Sequence, residues 1–179
     1  MKKYILYLLA LSLLPGCKNL VDDLNISPNN PQDASAAVML TGVELADDIA
    51  QEGEAARRAG VWSGYFEGLL FQYQSHQQYL VVANDFNTPW SFIYSNTIKN
   101  ARLMRQKALA LNNRRLAGVA QVLEANAAST AADLWGDVPF SQAVSDDYPN
   151  PQFDPQRQVF ASVQTLLDSA IVNLNSSAF

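Results

Sequence analysis

The 179-residue chain contains one cysteine, one histidine and only 16% charged side chains. A lone thiol cannot build a disulfide framework or a structural zinc site. A lone histidine leaves no second imidazole for a metal cage. A net charge of -5 and a sequence pI near 4.7 argue against nucleic acid as a partner. No G-x-G-x-x-G, phosphate-loop lysine, H-E-x-x-H or G-x-S-x-G pattern occurs. The longest apolar run, Tyr4 to Leu14, makes a helix of roughly 16 Å against a hydrocarbon core of about 30 Å. It is too short to span a bilayer. What the chain does have is 49% hydrophobic residues, enough for a sizeable core and too many for disorder.

The start of the chain is an address. Lys2 and Lys3 precede the apolar run, and Pro15-Gly16-Cys17 follows it. A basic start, a short apolar stretch and a small residue before a break read as a secretory leader. Leu13-Leu14-Pro15-Gly16-Cys17 also resembles a bacterial lipobox. By that resemblance residues 1–16 are removed and Cys17 becomes the acylated first residue. Each buried methylene of an acyl chain contributes about 0.8 kcal/mol, so several chains hold a protein at a membrane. The alternative is an ordinary leader followed by a chance thiol, and the position of the sole cysteine favours the anchor. Residues 17–32, with turns at Ser27-Pro28 and Asn30-Pro31, read as an extended tether.

From residue 33 onward the periodicity is helical. Val38, Thr41, Leu45 and Ile49 form one stripe, with Asp47-Asp48 on the polar side. Gly60, Gly64 and Gly68, four apart, predict a helix face that admits a close neighbour, with Trp62, Tyr65, Phe66, Phe71 and Tyr73 mostly in the core. Residues 74–87 read as a loop, with Tyr79 to Ala83 the one stretch that could be extended. Thr88-Pro89 predicts a helix start, followed by the stripe Trp90, Ile93, Tyr94, Thr97, Ala101, Met104, Ala108, Leu111. After a turn at Asn112-Asn113 comes an alanine-rich stripe from Leu116 to Leu134, closed by Gly136 as C-cap and by Pro139. Residues 145–153 form a loop, Asp154-Pro155 predicts another capped start, and a last helix carries Phe160, Val163, Leu167, Ala170, Ile171 and Leu174. The fold class expected is all-α, in antiparallel helical hairpins similar to tetratricopeptide units.

Few side chains suggest chemistry. Lys99, Arg102, Arg105, Lys107, Arg114 and Arg115 make a basic run without an acid. It reads either as a docking patch for an acidic partner or, preferably, as the solvated face and C-terminal turn of a helix. His76 reads as a polar loop residue. Asp133 and Asp137 flank Trp135-Gly136 at a spacing that a glycosidase could use, but local capping explains them better. No catalytic residue, cofactor or metal ligand is expected, so the chain reads as a binding protein and not an enzyme. Tyr79, Phe86 and Trp90, interleaved with Gln74, Gln77, Gln78, Asn84, Asp85 and Asn87, form a mixture that suits a sugar: aromatic faces for its C–H surface, amides for its hydroxyls. The other reading is that these aromatics pin the segment to the core.

The lipobox, NISPNNPQ at 25–32, DLWGDVPFSQA at 133–143 and YPNPQFDPQRQVF at 148–160 together resemble SusD/RagB-type outer-membrane lipoproteins. Asp133, Gly136, Asp137 and Pro139 carry the most specific part of that likeness, as a structural motif. The resemblance implies a tetratricopeptide-like fold, a lipid anchor in the outer membrane facing the cell exterior, and a SusC-like TonB-dependent transporter as partner. It implies capture of oligosaccharides or peptides for import. Family members are longer, so residues 33–179 are expected to be the N-terminal part of the helical domain, without its C-terminal part. The competing expectation is a lipid-anchored helical-repeat adaptor that binds only protein.

Overall fold

The computed structural model describes residues 34–178. The leader 1–16, Cys17 and the tether to residue 32 lie outside the described residues. The elements are α1 (Ala36–Glu52), α2 (Glu54–Trp62), α3 (Gln72–Gln77), a 3-10 turn (Ala83–Phe86), α4 (Asn87–Ser91), a π segment (Phe92–Ile98), α5 (Lys99–Ala110), α6 (Arg114–Trp135) and α7 (Gln156–Leu174). Among the described residues there is no strand, only one antiparallel bridge between Val138 and Asp154. The expected all-α hairpin architecture is present.

The strongest element is one continuous helix from α4 through the π segment to α5. Ile93, Ile98, Ala101, Met104 and Ala108 are wholly inaccessible to solvent. Asn112 then takes φ 57, a left-handed turn that asparagine tolerates. Asn113 accepts a hydrogen bond from the Leu116 amide at 3.1 Å and so caps α6. Nine alanines on α5 and α6 are buried, which lets helix axes approach closely. Gly118 is tighter still. A Cβ there would lie 2.7 Å from Leu174 and 3.1 Å from the Ala170 carbonyl, so α6 and α7 touch where glycine removes the side chain.

Polar side chains staple these helices. Glu124, 2% exposed on α6, accepts from Arg102 Nε at 2.7 Å and from Arg105 Nη1 at 2.8 Å. Arg102 also donates to the carbonyls of Ala143 and Phe140, at 2.6 and 2.8 Å, and lies over the Phe140 ring. Arg114 donates to Asn173, whose amide donates to Gln121 at 2.7 Å. The basic run is therefore only in part a solvated face. Arg102 and Arg105 are engaged with the carbonyls after Gly136 and the buried Glu124 carboxylate, which need charged donors, while Arg114 and Arg115 stay exposed at the start of α6.

Several sequence expectations are corrected. In α1, Val38, Leu45 and Ile49 point outward while Ala36, Val43, Ala46 and Ala50 are buried, because the small residues allow closer contact with the π segment and α5. Asp47 is buried, not solvated; burial raises its pKa, partly offset by a 2.7 Å hydrogen bond from Asn126. The three glycines do not share a helix face. Gly64 turns to φ 78 after α2 ends at Trp62, and Gly68 donates to the Gln77 side chain from a loop. Tyr65, Phe66 and Phe71 consequently sit outside the core, at 85, 61 and 86% exposure. The helix after the 3-10 turn starts at Asn87, with Pro89 in its first turn, where a missing N–H is harmless. Thr88 is not its cap. Asp154 does not cap α7 either. Its carboxylate faces inward, accepting from the amides of Phe140 and Ser141 at 2.9 and 2.7 Å and from the Ser141 hydroxyl at 2.8 Å.

Candidate functional site

The Trp135-Gly136-Asp137-Val138-Pro139 turn shows how family-type residues serve structure. Gly136 takes φ 78 and ends α6, as expected. Asp137 accepts the Gln156 amide at 2.9 Å, supplying to α7 the cap that Asp154 does not. Pro139 is buried and Asp133 is exposed. Asp137 is thus engaged at a helix start, where local capping accounts for it. Burial would raise the Asp154 pKa, but its three hydrogen bonds outweigh this and hold it below the usual carboxylate value. The same burial, with Asp154 nearby, pushes the Tyr94 phenol strongly up, opposed by Arg102.

This turn also ends α6 beside an aromatic cleft of about 460 Å³ lined by Trp62, Ala83, Phe86, Asn87, Trp90, Leu134 and Trp135. Besides α6, three separate elements contribute. Trp62 is the last residue of α2, and its indole N–H donates to the His76 carbonyl at 2.8 Å, which fixes the ring against α3. Phe86 ends the 3-10 turn, where Asp85 accepts the Val82 amide at 2.9 Å. Trp90 lies in α4, edge-on to Trp135 with ring centroids 5.0 Å apart and 4.5 Å from Tyr94. Tyr79 stacks on Trp62 with centroids 6.0 Å apart and planes 19° off parallel, and it is 67% exposed.

The sequence thus named three aromatics that the structure brings to one region, though in different roles. Phe86 and Trp90 line the cleft. Tyr79 does not line it but extends its wall through the Trp62 stack. Trp90 is half-buried and packs against the core, as the packing reading has it, while also lining the cleft. The sequence reading missed Trp62 and Trp135 as wall residues. Helical spacing places Trp62 in the core, and Trp135 stands in the sequence only as part of the motif. Their signal was present: tryptophans beside Gly64 and Gly136, where a helix ends and its last side chain is left at an edge.

His76 is a further correction. It is 3% exposed on α3, with its ring edge-on to Tyr73, and its Nδ1 has no hydrogen-bond partner. Among the described residues no cluster of His, Cys, Asp and Glu could hold a metal ion, and no helix is long and apolar enough to cross a membrane.

The comparisons with known proteins agree with this architecture. No curated protein matches the chain. A crystal structure of a SusD/RagB family protein from Bacteroides thetaiotaomicron superposes with a TM-score of 0.76 and 25% identity, covering 82% of this chain and 32% of that one. The chain thus spans about a third of the length of that relative. The SusD-like family profile, described as starch-binding and associating with the outer membrane, matches residues 28–178. A match over that span makes the chain a member of the SusD-like family.

Proposed function

We propose that this chain is a lipid-anchored surface protein that captures oligosaccharides and hands them to a TonB-dependent transporter in the outer membrane. The observation that carries this reading is the aromatic cleft. Trp62, Phe86, Trp90 and Trp135 offer apolar ring faces, Tyr79 lengthens the platform, and Asn87 supplies an amide at the rim. Sugar rings present apolar C–H faces ringed by hydroxyls, and this combination of flat rings and few polar groups matches them. Membership of a starch-binding family supports the ligand class, and the lipobox supports the anchor. The transporter partner rests on the family resemblance.

The competing reading, an adaptor for protein alone, has one observation in its favour. A second groove of about 390 Å³, lined chiefly by Met39, Val43, Leu45, Ile49 and Phe92, with Asn96 and Asn100, is mostly apolar. It lacks the stacked rings of the first.

The test is calorimetry of the full chain against neutral oligosaccharides and peptides, with Tyr79→Ala and Trp62→Ala as variants. Loss of one stacking face should weaken a sugar by about 1 kcal/mol, roughly fivefold, at unchanged melting temperature for Tyr79→Ala. Full affinity in both variants would put the ligand elsewhere. For the anchor, Cys17→Ala should move the protein from the membrane fraction to the soluble one. Retention of that variant after a carbonate wash would refute lipidation.

A further inference from the structure

Away from the aromatic cleft, a groove of about 540 Å³ opens between α5, α6 and α7. Arg105 of α5 and Gln121 of α6 line one side, and Ser162, Thr165 and Ser169 of α7 line another. Those three hydroxyl residues follow at steps of three and four, hence on one helix face. Thr165 and Ser169 are exposed, and the Arg105 side chain keeps 28% of its surface in solvent, so a ligand can reach both sides. Gln121 stands three residues before Glu124 on α6, which brings its amide beside the ion pair of Arg105 with Glu124.

Hydrogen bonding fixes which end of each side chain is left over. An arginine can only donate. Arg114 Nε donates to Asn173 Oδ1 at 3.0 Å, so Asn173 turns its Nδ2 to Gln121, whose Oε1 accepts at 2.7 Å. Gln121 is 6% exposed, and its Nε2 is left facing the groove with no acceptor among the described residues. Arg105 spends only Nη1, on Glu124 at 2.8 Å. Its Nε and Nη2 have no acceptor among the described residues, and they form the edge that meets a carboxylate or phosphate through two parallel bonds. Arg102 differs, since all three of its nitrogens donate, to Glu124 and to two carbonyls. Two arginines on one carboxylate leave a positive charge over, and Asp154, the acid beside Ser141, is already met by three donors. The α7 side is the complement. The hydroxyls of Thr165 and Ser169 donate to the carbonyls of Ala161 and Thr165, at 3.1 and 3.0 Å, which leaves their oxygens as acceptors.

We infer that this groove binds an acidic sugar, its carboxylate or phosphate held by the free edge of Arg105 and by Gln121 Nε2, its hydroxyls by the oxygens of Thr165 and Ser169. Donors without acceptors on α5 and α6 call for an oxyanion, and acceptors on α7 call for hydroxyl groups. A groove of this volume suits a small molecule and not a bare ion. The site is separate from the aromatic cleft and stands without it.

Calorimetry on the full chain tests this with glucose 6-phosphate and glucuronate against glucose and inorganic phosphate. Both acidic sugars are expected to bind about tenfold tighter than glucose, and tighter than phosphate, which lacks the sugar body. In Arg105→Gln their advantage over glucose should fall to about one, because the two-donor edge is gone. Should that variant fail to fold, Ser169→Asp decides the matter. It sits at the exposed rim, leaves the Glu124 pairs intact, and should weaken the acidic sugars about fivefold while sparing glucose. Trp62→Ala should alter none of these values, since that ring belongs to the other cleft. Equal binding of glucose and the acidic sugars would overturn the inference, as would phosphate matching glucose 6-phosphate. So would a preference that survives both Arg105→Gln and Ser169→Asp. A preference lost in Trp62→Ala alone would also overturn it and move the acidic sugars to the aromatic cleft.

Discussion

From Asn87 to Leu174 the chain buries alanines, gives the buried Glu124 two arginines and meets the carbonyls after Gly136 with charged donors. From Glu54 to Phe86 it does the reverse. Tyr65, Leu69, Leu70, Phe71, Tyr79 and Leu80 stand out in solvent, Phe71 and Tyr79 take positive φ, and Arg58 and His76 hold unmet polar atoms. Exposed aromatic surface, strained backbone and unmet buried donors are each costly, and they are denser here than in the first region, where Tyr94 and Thr97 hold unmet hydroxyls and Val144 takes positive φ. The first region is held by internal pairing, and the second leaves more of its apolar surface in solvent. Binding residues placed on a rigid helical frame would divide in this way.

Removing Glu124 is the most direct way to break the first region. Glu124→Ala removes the buried carboxylate that pairs Arg102 and Arg105, leaving Arg102 only its carbonyl partners, and should cost about 3 kcal/mol, with a fall in melting temperature of about 10 °C. A variant melting with the parent would show that the two ion pairs contribute no net stability. Next comes the contact at Gly118. Gly118→Leu must push Leu174 and the Ala170 carbonyl aside, and thermal unfolding should register about 2 kcal/mol of overpacking. An unchanged transition would mean that α6 and α7 are not in close contact. The smallest effect sharpens the contrast. Leu70→Ser, at a side chain 69% exposed, should change stability by less than about 0.5 kcal/mol. A large loss there would show that the aromatic segment is part of the core after all.

The hairpin region was legible because its signals are local and repeated. A stripe at steps of three and four marked Ile93 to Ala108 as buried, and Gly136 with Pro139 marked a helix end. What escaped the sequence was pairing at a distance. Nothing near Asp154 says that it turns inward to Phe140 and Ser141, and nothing near Arg102 announces Glu124 on the next helix. Polar residues at internal positions read as solvated until a partner is seen. The π segment from Phe92 to Ile98 was also invisible, since its buried Ile93, Tyr94, Thr97 and Ile98 fit an ordinary helix stripe. In α1 the reading chose the larger hydrophobics, whereas close packing chose the alanines. The candidate site was half legible. Composition found Tyr79, Phe86 and Trp90, but only the fold brings Trp62 and Trp135 to the same cleft.

The bridge between Val138 and Asp154 has a consequence for what this scaffold can tolerate. The two residues exchange backbone hydrogen bonds at 3.1 and 3.0 Å, while the Asp154 carboxylate clips Phe140 and Ser141, and Asp137 holds the first turn of α7. The stretch from Ser141 to Phe153 is therefore a loop tied shut at its neck. Its outer part exposes Tyr148 and Phe153. Lengthening or rewriting it adds little closure entropy, because the ends are already held together. The loop is a place where new surface could be grafted or could diversify through descent while α6 and α7 keep their register.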